Sequence, residues 1–232
     1  QLRDKYRNQS GISEAGGIGL QAWELMEDPG FEAPLPDPAH PQIEKDLQGF
    51  LRLYADAYFK TIAEALEWHA PNQLLLGGRF SITTPEAVAS CAQYCDVLSF
   101  NFYTPSPQAG YDWEVLRQLD KPVLVSEFHF GSRDRGPFWA GVSQVYREED
   151  RGSAYASFLS AALKEPQLVG VHWFQYIDQP VTGRLLDGEN GHLGLIGITD
   201  LPFRGFVGSV RKANLSMPGK LLPGASSKPA AP

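Results

Sequence analysis

The sequence predicts an α/β fold, the C-terminal half (strands five to eight) of a (β/α)8 TIM barrel. Short apolar runs alternate with helical patterns between residues 41 and 215, and buried parallel strands show this alternation because each needs a crossover connection. Polar side chains end every run, which favours a barrel over a doubly wound sheet with a single switch point. Only four such runs occur, so we expect half of a barrel.

A long amphipathic helix opens this region, between Pro41 and Pro71. Its apolar residues recur at three- and four-residue steps, which is typical of a helix with one buried face. They are Leu47, Phe50, Leu51, Tyr54, Tyr58, Ile62 and Leu66.

The later elements alternate as a barrel requires. We expect helices over residues 84–94, 111–119 and 148–164, and strands over residues 74–80, 97–103, 122–128 and 168–176. Together with the first helix they make residues 41–217 the half-barrel domain.

The two ends of the chain lie outside this domain. Residues 1–40 are rich in Gly, Pro and acidic side chains and have no strand pattern, so we expect a loop and helix remnant of the preceding barrel unit. Residues 1–6 resemble the interior of a helix, so we expect that an N-terminal part is missing. Residues 218–232 have almost nothing to bury, and we expect them to be disordered.

Composition excludes several kinds of partner. With 20 Lys and Arg against 27 Asp and Glu, the net charge of −7 leaves no basic face for nucleic acid. No apolar run approaches the length of a membrane span, so we expect no membrane partner. The only cysteines, Cys91 and Cys95, cannot complete a zinc site or a disulfide scaffold. Residues 187–191 resemble a calcium loop without its distal Glu, so we expect no metal and no other cofactor.

Glu127 is the candidate for chemistry, because a carboxylate at the carboxyl end of an apolar barrel strand stands where this fold places its catalytic groups. The alternative is a solvated carboxylate paired with Arg133 or Arg135.

Further polar or aromatic side chains end the other predicted strands. Trp173 offers a flat face for a sugar ring, or alternatively fills the core. Alternation puts Trp173 and Gln175 on one side of their strand, and His129 on the side of Glu127. His129 is either a sugar ligand or a structural histidine, and Arg79 either contacts substrate or pairs with a carboxylate or a helix end.

Four segments together resemble one known family. They are Ser126–Gly131, Asp134–Gly136, His172–Pro180 and Asp187–Asn190. They are similar to the C-terminal part of the catalytic domain of family 50 β-agarases, in the retaining clan A of glycoside hydrolases.

The resemblance implies roles for individual residues. Glu127 matches the nucleophile at the end of strand seven, Tyr103 matches the tyrosine that hydrogen-bonds it, and Trp173 matches the floor of the sugar site. We expect the remaining candidates to bind sugar hydroxyls. They are Arg79, Asn101, His129, Gln175, Asp187 and Glu189.

The family also has an acid/base Glu after strand four, usually within an Asn-Glu pair, and no such pair occurs in this chain. We therefore expect that Glu upstream of residue 1, on a missing N-terminal half of the barrel. Retaining hydrolysis uses two carboxyl groups about 5 Å apart. The resemblance implies a polysaccharide-degrading hydrolase that cleaves a β-linked galactan such as agarose by double displacement, with this chain alone nearly inactive. The alternatives are a β-galactosidase- or mannanase-like clan member and a carbohydrate-binding pseudoenzyme.

Overall fold

The computed structural model describes residues 2–17 and 19–221, with the backbone alone from residue 218 onward. The chain divides into two compact units. One comprises residues 1–69 and 84–94, and the other comprises residues 70–83 and 95–232. Within the described residues, no helix is both long and apolar enough to cross a membrane.

The first unit is helical. Helices α1 (Leu2–Tyr6) and α2 (Gln9–Gly16) precede a 3-10 helix (Trp23–Glu27), followed by α3 (Pro41–His69) and α4 (Pro85–Tyr94). The long helix and α4 match the predicted bounds within one residue. Between them, the Ser90 hydroxyl donates to Asp56 over 2.6 Å.

Helix α3 buries less of its apolar stripe than the periodicity predicts. Ile43, Ala55 and Phe59 are buried, whereas Phe50, Tyr54 and Tyr58 of the predicted buried face are exposed. Steps of three and four residues define an apolar stripe, but they do not determine which part of it a neighbouring element covers.

The second unit is built on a parallel sheet. Strands β1 (Leu98–Asn101), β2 (Val123–Phe128) and β5 (Leu168–Trp173) pair in the order β1–β2–β5. A separate parallel pair, β3 (Gly131–Ser132) and β4 (Gln144–Val145), follows β2. The observed α/β class agrees with the prediction, and the half-barrel assignment stays a prediction.

The predicted strand over residues 74–80 is wrong in extent and in burial. Only Phe80 forms a bridge, to Phe100 of β1, and Leu74 and Leu76 are 67% and 44% exposed. Two residues with positive φ, Gly77 (77°) and Arg79 (45°), interrupt the extended backbone that a strand needs. The segment nevertheless runs beside β1, because Phe80 N–H donates to the Ser99 carbonyl over 2.9 Å.

Helices pack against the sheet, and the apolar core lies between them. Helix α5 (Trp113–Leu119) links β1 to β2, and α6 (Arg151–Ala162) links β4 to β5. The ring of Phe158 on α6 stacks on Phe128 of β2 at a centroid distance of 4.3 Å.

The last helix, α7 (Arg204–Leu221), has no counterpart among the predicted elements. It continues past the predicted end of the folded domain at residue 217. The remainder of the predicted disordered tail, residues 222–232, lies outside the described residues.

Candidate active site

Glu127 lies one residue before the end of β2, the central strand of the sheet, and its side chain is 13% exposed. Each carboxylate oxygen has its own donor. Arg79 Nη1 lies 2.8 Å from Oε1, and the Tyr103 hydroxyl donates to Oε2 over 2.5 Å. The carboxylate is therefore held in a fixed orientation from two sides.

Parallel pairing brings Tyr103 to this carboxylate. Asn101, the last residue of β1, pairs with Glu127, and Phe102 N–H donates to the Glu127 carbonyl over 2.9 Å. Tyr103 follows directly after this contact, where the carboxyl ends of β1 and β2 meet. Burial and the hydrogen bond to Glu127 both raise the pKa of Tyr103, so its hydroxyl keeps the proton that it donates.

Arg79 reaches Glu127 from the segment beside β1. Its backbone has a φ of 45°, which few residues other than glycine adopt, and its N–H donates to Ser99 Oγ over 3.0 Å. The side chain is 68% exposed. Arg79 therefore pairs with a carboxylate, that of Glu127, and its guanidinium also remains open to solvent.

His129 lies beside Tyr103, with ring centroids 4.5 Å apart. Its Nε2 accepts the Val142 N–H over 2.9 Å, so the neutral ring carries its proton on Nδ1. Burial, and to a smaller extent the charge of Arg151, lowers the pKa of His129 to about 4. A neutral histidine that is 2% exposed packs under the tyrosine.

The ring of Trp173 contacts other aromatic side chains. Its indole packs against Phe128 and against Phe206 of α7, with centroid distances of 5.2 and 5.1 Å. Its Nε1 donates to the Leu193 carbonyl over 2.8 Å. The indole is partly buried, and its role as the floor of a sugar site stays a prediction.

A bulge in β2 explains this placement. Val125 pairs with Val171, and regular pairing from there would set Trp173 opposite Glu127. The register shifts between Val125 and Phe128, so that Phe128 pairs with Trp173 instead. One extra residue in β2 therefore turns Glu127 away from Trp173.

The other predicted sugar ligands make hydrogen bonds or ion pairs with neighbouring residues. Asn101 Oδ1 accepts from the Ser126 hydroxyl over 2.8 Å, and Gln175 Nε2 donates to the Ile177 carbonyl over 2.7 Å. Asp187 Oδ1 accepts from Arg184 Nε over 3.0 Å, and Glu189 Oε2 lies 2.8 Å from Arg184 Nη2. Both acidic residues belong to one loop with a shared arginine.

One residue near the site has no signal in the sequence. The ring of Phe174 lies 6.3 Å from that of His129, and nothing in the apolar run of its strand distinguishes it. The charge of Glu189 also acts on Tyr103, whose pKa it raises less than burial and Glu127 do.

Among the described residues, no group of three or more His, Cys, Asp or Glu side chains could hold a metal ion. The arrangement at Glu127 is an ionisable carboxylate with two donors on its oxygens and a partly open approach. Such a carboxylate, at the carboxyl end of a parallel strand, is suited to attack an electrophilic carbon or to stabilise positive charge on it.

Comparisons with known proteins find relatives among the β-agarases. The chain is 35% identical over 215 residues to β-agarase B of Vibrio sp. (strain JT0107), an alignment that covers 92% of this chain and 22% of the relative. It is 39% identical over 184 residues to β-agarase A of the same strain, covering 76% of this chain and 18% of that relative. No family model matches the chain. The chain thus spans about a fifth of the length of these curated relatives.

Solved structures agree. The structure of an exo-β-agarase superimposes with a TM-score of 0.83 at 34% identity, covering 95% of this chain and 30% of that one. The agarase AgWH50C gives a TM-score of 0.81 at 33% identity, covering 95% and 31%. By resemblance the chain is glycoside hydrolase-like, and its relatives are family 50 β-agarases.

Proposed function

We propose that this chain supplies the nucleophile of a retaining glycoside hydrolase that cleaves a β-linked galactan such as agarose. The observation that carries this proposal is the Glu127 carboxylate at the end of the central strand, with Tyr103 on one oxygen and Arg79 on the other. The substrate class rests on the relatives, which are β-agarases.

In the first step, an oxygen of Glu127 attacks the anomeric carbon while a carboxylic acid protonates the leaving sugar oxygen. A glycosyl ester forms on Glu127, and the carboxylate loses its negative charge. We assign the attack to Oε1, because its partner Arg79 is mostly exposed and can move aside. Tyr103 stays on Oε2, which becomes the ester carbonyl.

In the second step, water attacks the same carbon and the Glu127 carboxylate leaves. The carboxylate that gave its proton in the first step now accepts one from the water, so the anomeric configuration is retained. We place this second carboxyl group outside the chain, on the other half of a barrel of which β1, β2, β5 and the segment of Phe80 form the C-terminal half. The small share of each relative that the chain covers supports this division.

A chimera tests the proposal. The part of Vibrio β-agarase B that aligns with this chain is replaced by this chain, and release of reducing sugar from agarose is measured. We expect hydrolysis, with the β-anomer as first product by NMR. Glu127→Gln should lower kcat by more than about 10³-fold, because it removes the nucleophile.

Glu149→Gln is the matched control, because Glu149 is an exposed glutamate of the same unit that pairs only with Arg147 among the described residues. Equal loss of activity in both variants, or release of the α-anomer, would contradict the proposal. Binding of agaro-oligosaccharide by a folded chimera that cleaves no glycoside would favour the carbohydrate-binding alternative.

A further inference from the structure

A loop between β5 and α7 closes on itself at its base. Gln179, which is fully buried, accepts the Gly191 N–H on Oε1 over 2.5 Å and donates from Nε2 to Glu189 over 2.8 Å. The Gln179 N–H also donates to the Gly191 carbonyl over 3.1 Å. The loop of residues 180–190 therefore leaves and returns at one point.

A buried ion network lies next to this base. The His192 ring has Asp178 on Nδ1 at 2.8 Å and Glu148 on Nε2. Glu148 also pairs with Arg151 at 3.1 Å. Arg151 and His192 are 0% and 1% exposed, and Asp178 is 5% exposed. Two neighbouring charged side chains also face Glu148: Arg135 lies 3.8 Å from its carboxylate at the surface, and Asp134 accepts its N–H over 3.1 Å.

A carboxylate on each ring nitrogen favours a protonated His192. A neutral imidazole has one N–H, so it could donate to Asp178 from Nδ1 and accept from Arg151 Nη1, which lies 3.1 Å from Nε2, but its lone pair would also face the Glu148 carboxylate. As an imidazolium it donates to both. The network then holds two negative groups, Asp178 and Glu148, and two positive groups, Arg151 and His192, so its charges balance.

The network also joins the loop base to the segment that directly follows β2, the strand that carries Glu127. Arg151 Nε donates to the Phe130 carbonyl, three residues beyond Glu127, over 2.9 Å, and its Nη2 donates to the Gly194 carbonyl over 2.8 Å. Asp178 Oδ1 accepts the Gly194 N–H over 2.6 Å. Buried ion pairs are often no better for stability than apolar packing, but they fix the relative orientation of the groups that they join.

We propose that protonated His192, through Asp178, Glu148 and Arg151, is a positioning residue that holds the base of the 180–190 loop to the segment that follows Glu127. The inference rests on the proposed function only in taking Glu127 as the reacting group. Loss of the His192 proton removes the donor to one carboxylate, leaves the network with a net negative charge, and releases the loop.

The test is an NMR titration of the 232-residue chain, with ¹⁵N-labelled backbone and histidines. We expect both ring nitrogens of His192 to stay protonated above pH 7. Amide resonances of residues 184–191 should shift with the same midpoint when His192 deprotonates. His192→Gln assigns the imidazole and should abolish the linked shifts, whereas His172→Gln, at an exposed histidine of β5, should preserve them.

A neutral His192 at pH 7 overturns the proposal, and so does a titration of His192 without shifts in the loop amides. If His192→Gln does not fold, the titration of the unsubstituted chain still measures both outcomes. In the chimera, we expect KM for agarose to rise about tenfold above the His192 midpoint while kcat changes less. If the chimera cleaves no agarose but the loop amides follow His192, the proposed function fails and the positioning network stands.

Discussion

The Tyr103 hydroxyl donates to Glu127 Oε2 over 2.5 Å, and Tyr103 is the residue that follows the pairing of β1 with β2. A hydrogen bond to a charged group is typically worth about 1.5–3 kcal/mol. We therefore expect Tyr103→Phe in the chimera to lower kcat by about 10- to 100-fold, with little change in thermal stability. Steady-state kinetics and a melting curve check this. An unchanged kcat would show that the hydroxyl is not needed at the carboxylate.

Arg79 should matter for activity and not for folding. Its side chain is 68% exposed, and exposed ion pairs contribute about 1 kcal/mol or less. Asparagine tolerates the left-handed backbone at this position, so we expect Arg79→Asn to change the free energy of unfolding by less than about 0.5 kcal/mol.

The same variant in the chimera should lose at least about tenfold in kcat/KM, because Arg79 orients the Glu127 carboxylate before Oε1 attacks. Arg117→Asn is the control, since Arg117 pairs with Glu114 and Glu165. Equal effects of the two substitutions on kcat/KM would remove Arg79 from the site.

Trp173→Ala should act on stability. The indole packs in an aromatic core and donates to the Leu193 carbonyl, and truncating such a residue typically costs about 3–5 kcal/mol. Denaturant titration of the 232-residue chain measures the loss. Trp173→Phe should cost less. A stable Trp173→Ala variant with weakened sugar binding would restore the predicted floor.

Burial of His129 should make the folded chain less stable in acid. Burial lowers its pKa to about 4 in the folded chain, against about 6.5 when unfolded. Between these values the unfolded chain binds more protons, so stability falls as the pH is lowered from 6.5 towards 4. The loss is on the order of 3 kcal/mol. Unfolding free energies of the native chain and His129→Gln, compared from pH 7 to pH 4, should converge in acid. A constant difference would contradict this.

The 232-residue chain by itself should be nearly inactive on agarose. A positioned acid is typically worth about 10²–10⁴-fold, and we place that acid outside these residues. Reducing-sugar release by the 232-residue chain is compared with release by the chimera. Robust hydrolysis by the chain alone would mean that a carboxyl group within it, such as Glu189, serves as the acid.

Some contacts of the candidate site leave a signal in the sequence and others do not. The contact between Glu127 and Tyr103 was predictable, because the carboxyl ends of adjacent parallel strands must meet. The pairing of Trp173 with Phe128 was not, because alternation assumes regular pairing and the bulge in β2 leaves no mark in the sequence. The ion network of His192 joins residues up to 44 positions apart, and neither periodicity nor local motifs report such contacts.

The 74–80 segment shows a related limit. Its apolar run matched a buried strand, but whether such a run is buried depends on what covers it, and Leu74 and Leu76 are exposed in this chain. Helix α7 was missed because its sequence contains glycines and a proline, which weaken helical propensity, while its Phe206 is buried against Trp173. Tertiary packing overrides such local preferences.

The most direct measurement is to trap the glycosyl ester. The chimera is incubated with a 2-deoxy-2-fluoro-β-galactoside bearing an activated leaving group, and its peptides are analysed by mass spectrometry. The peptide that contains Glu127 should gain the mass of one fluorosugar, and Glu127→Gln should gain none. A fluorosugar on another carboxylate, or hydrolysis of agarose with inversion and no covalent adduct, would contradict Glu127 as the nucleophile.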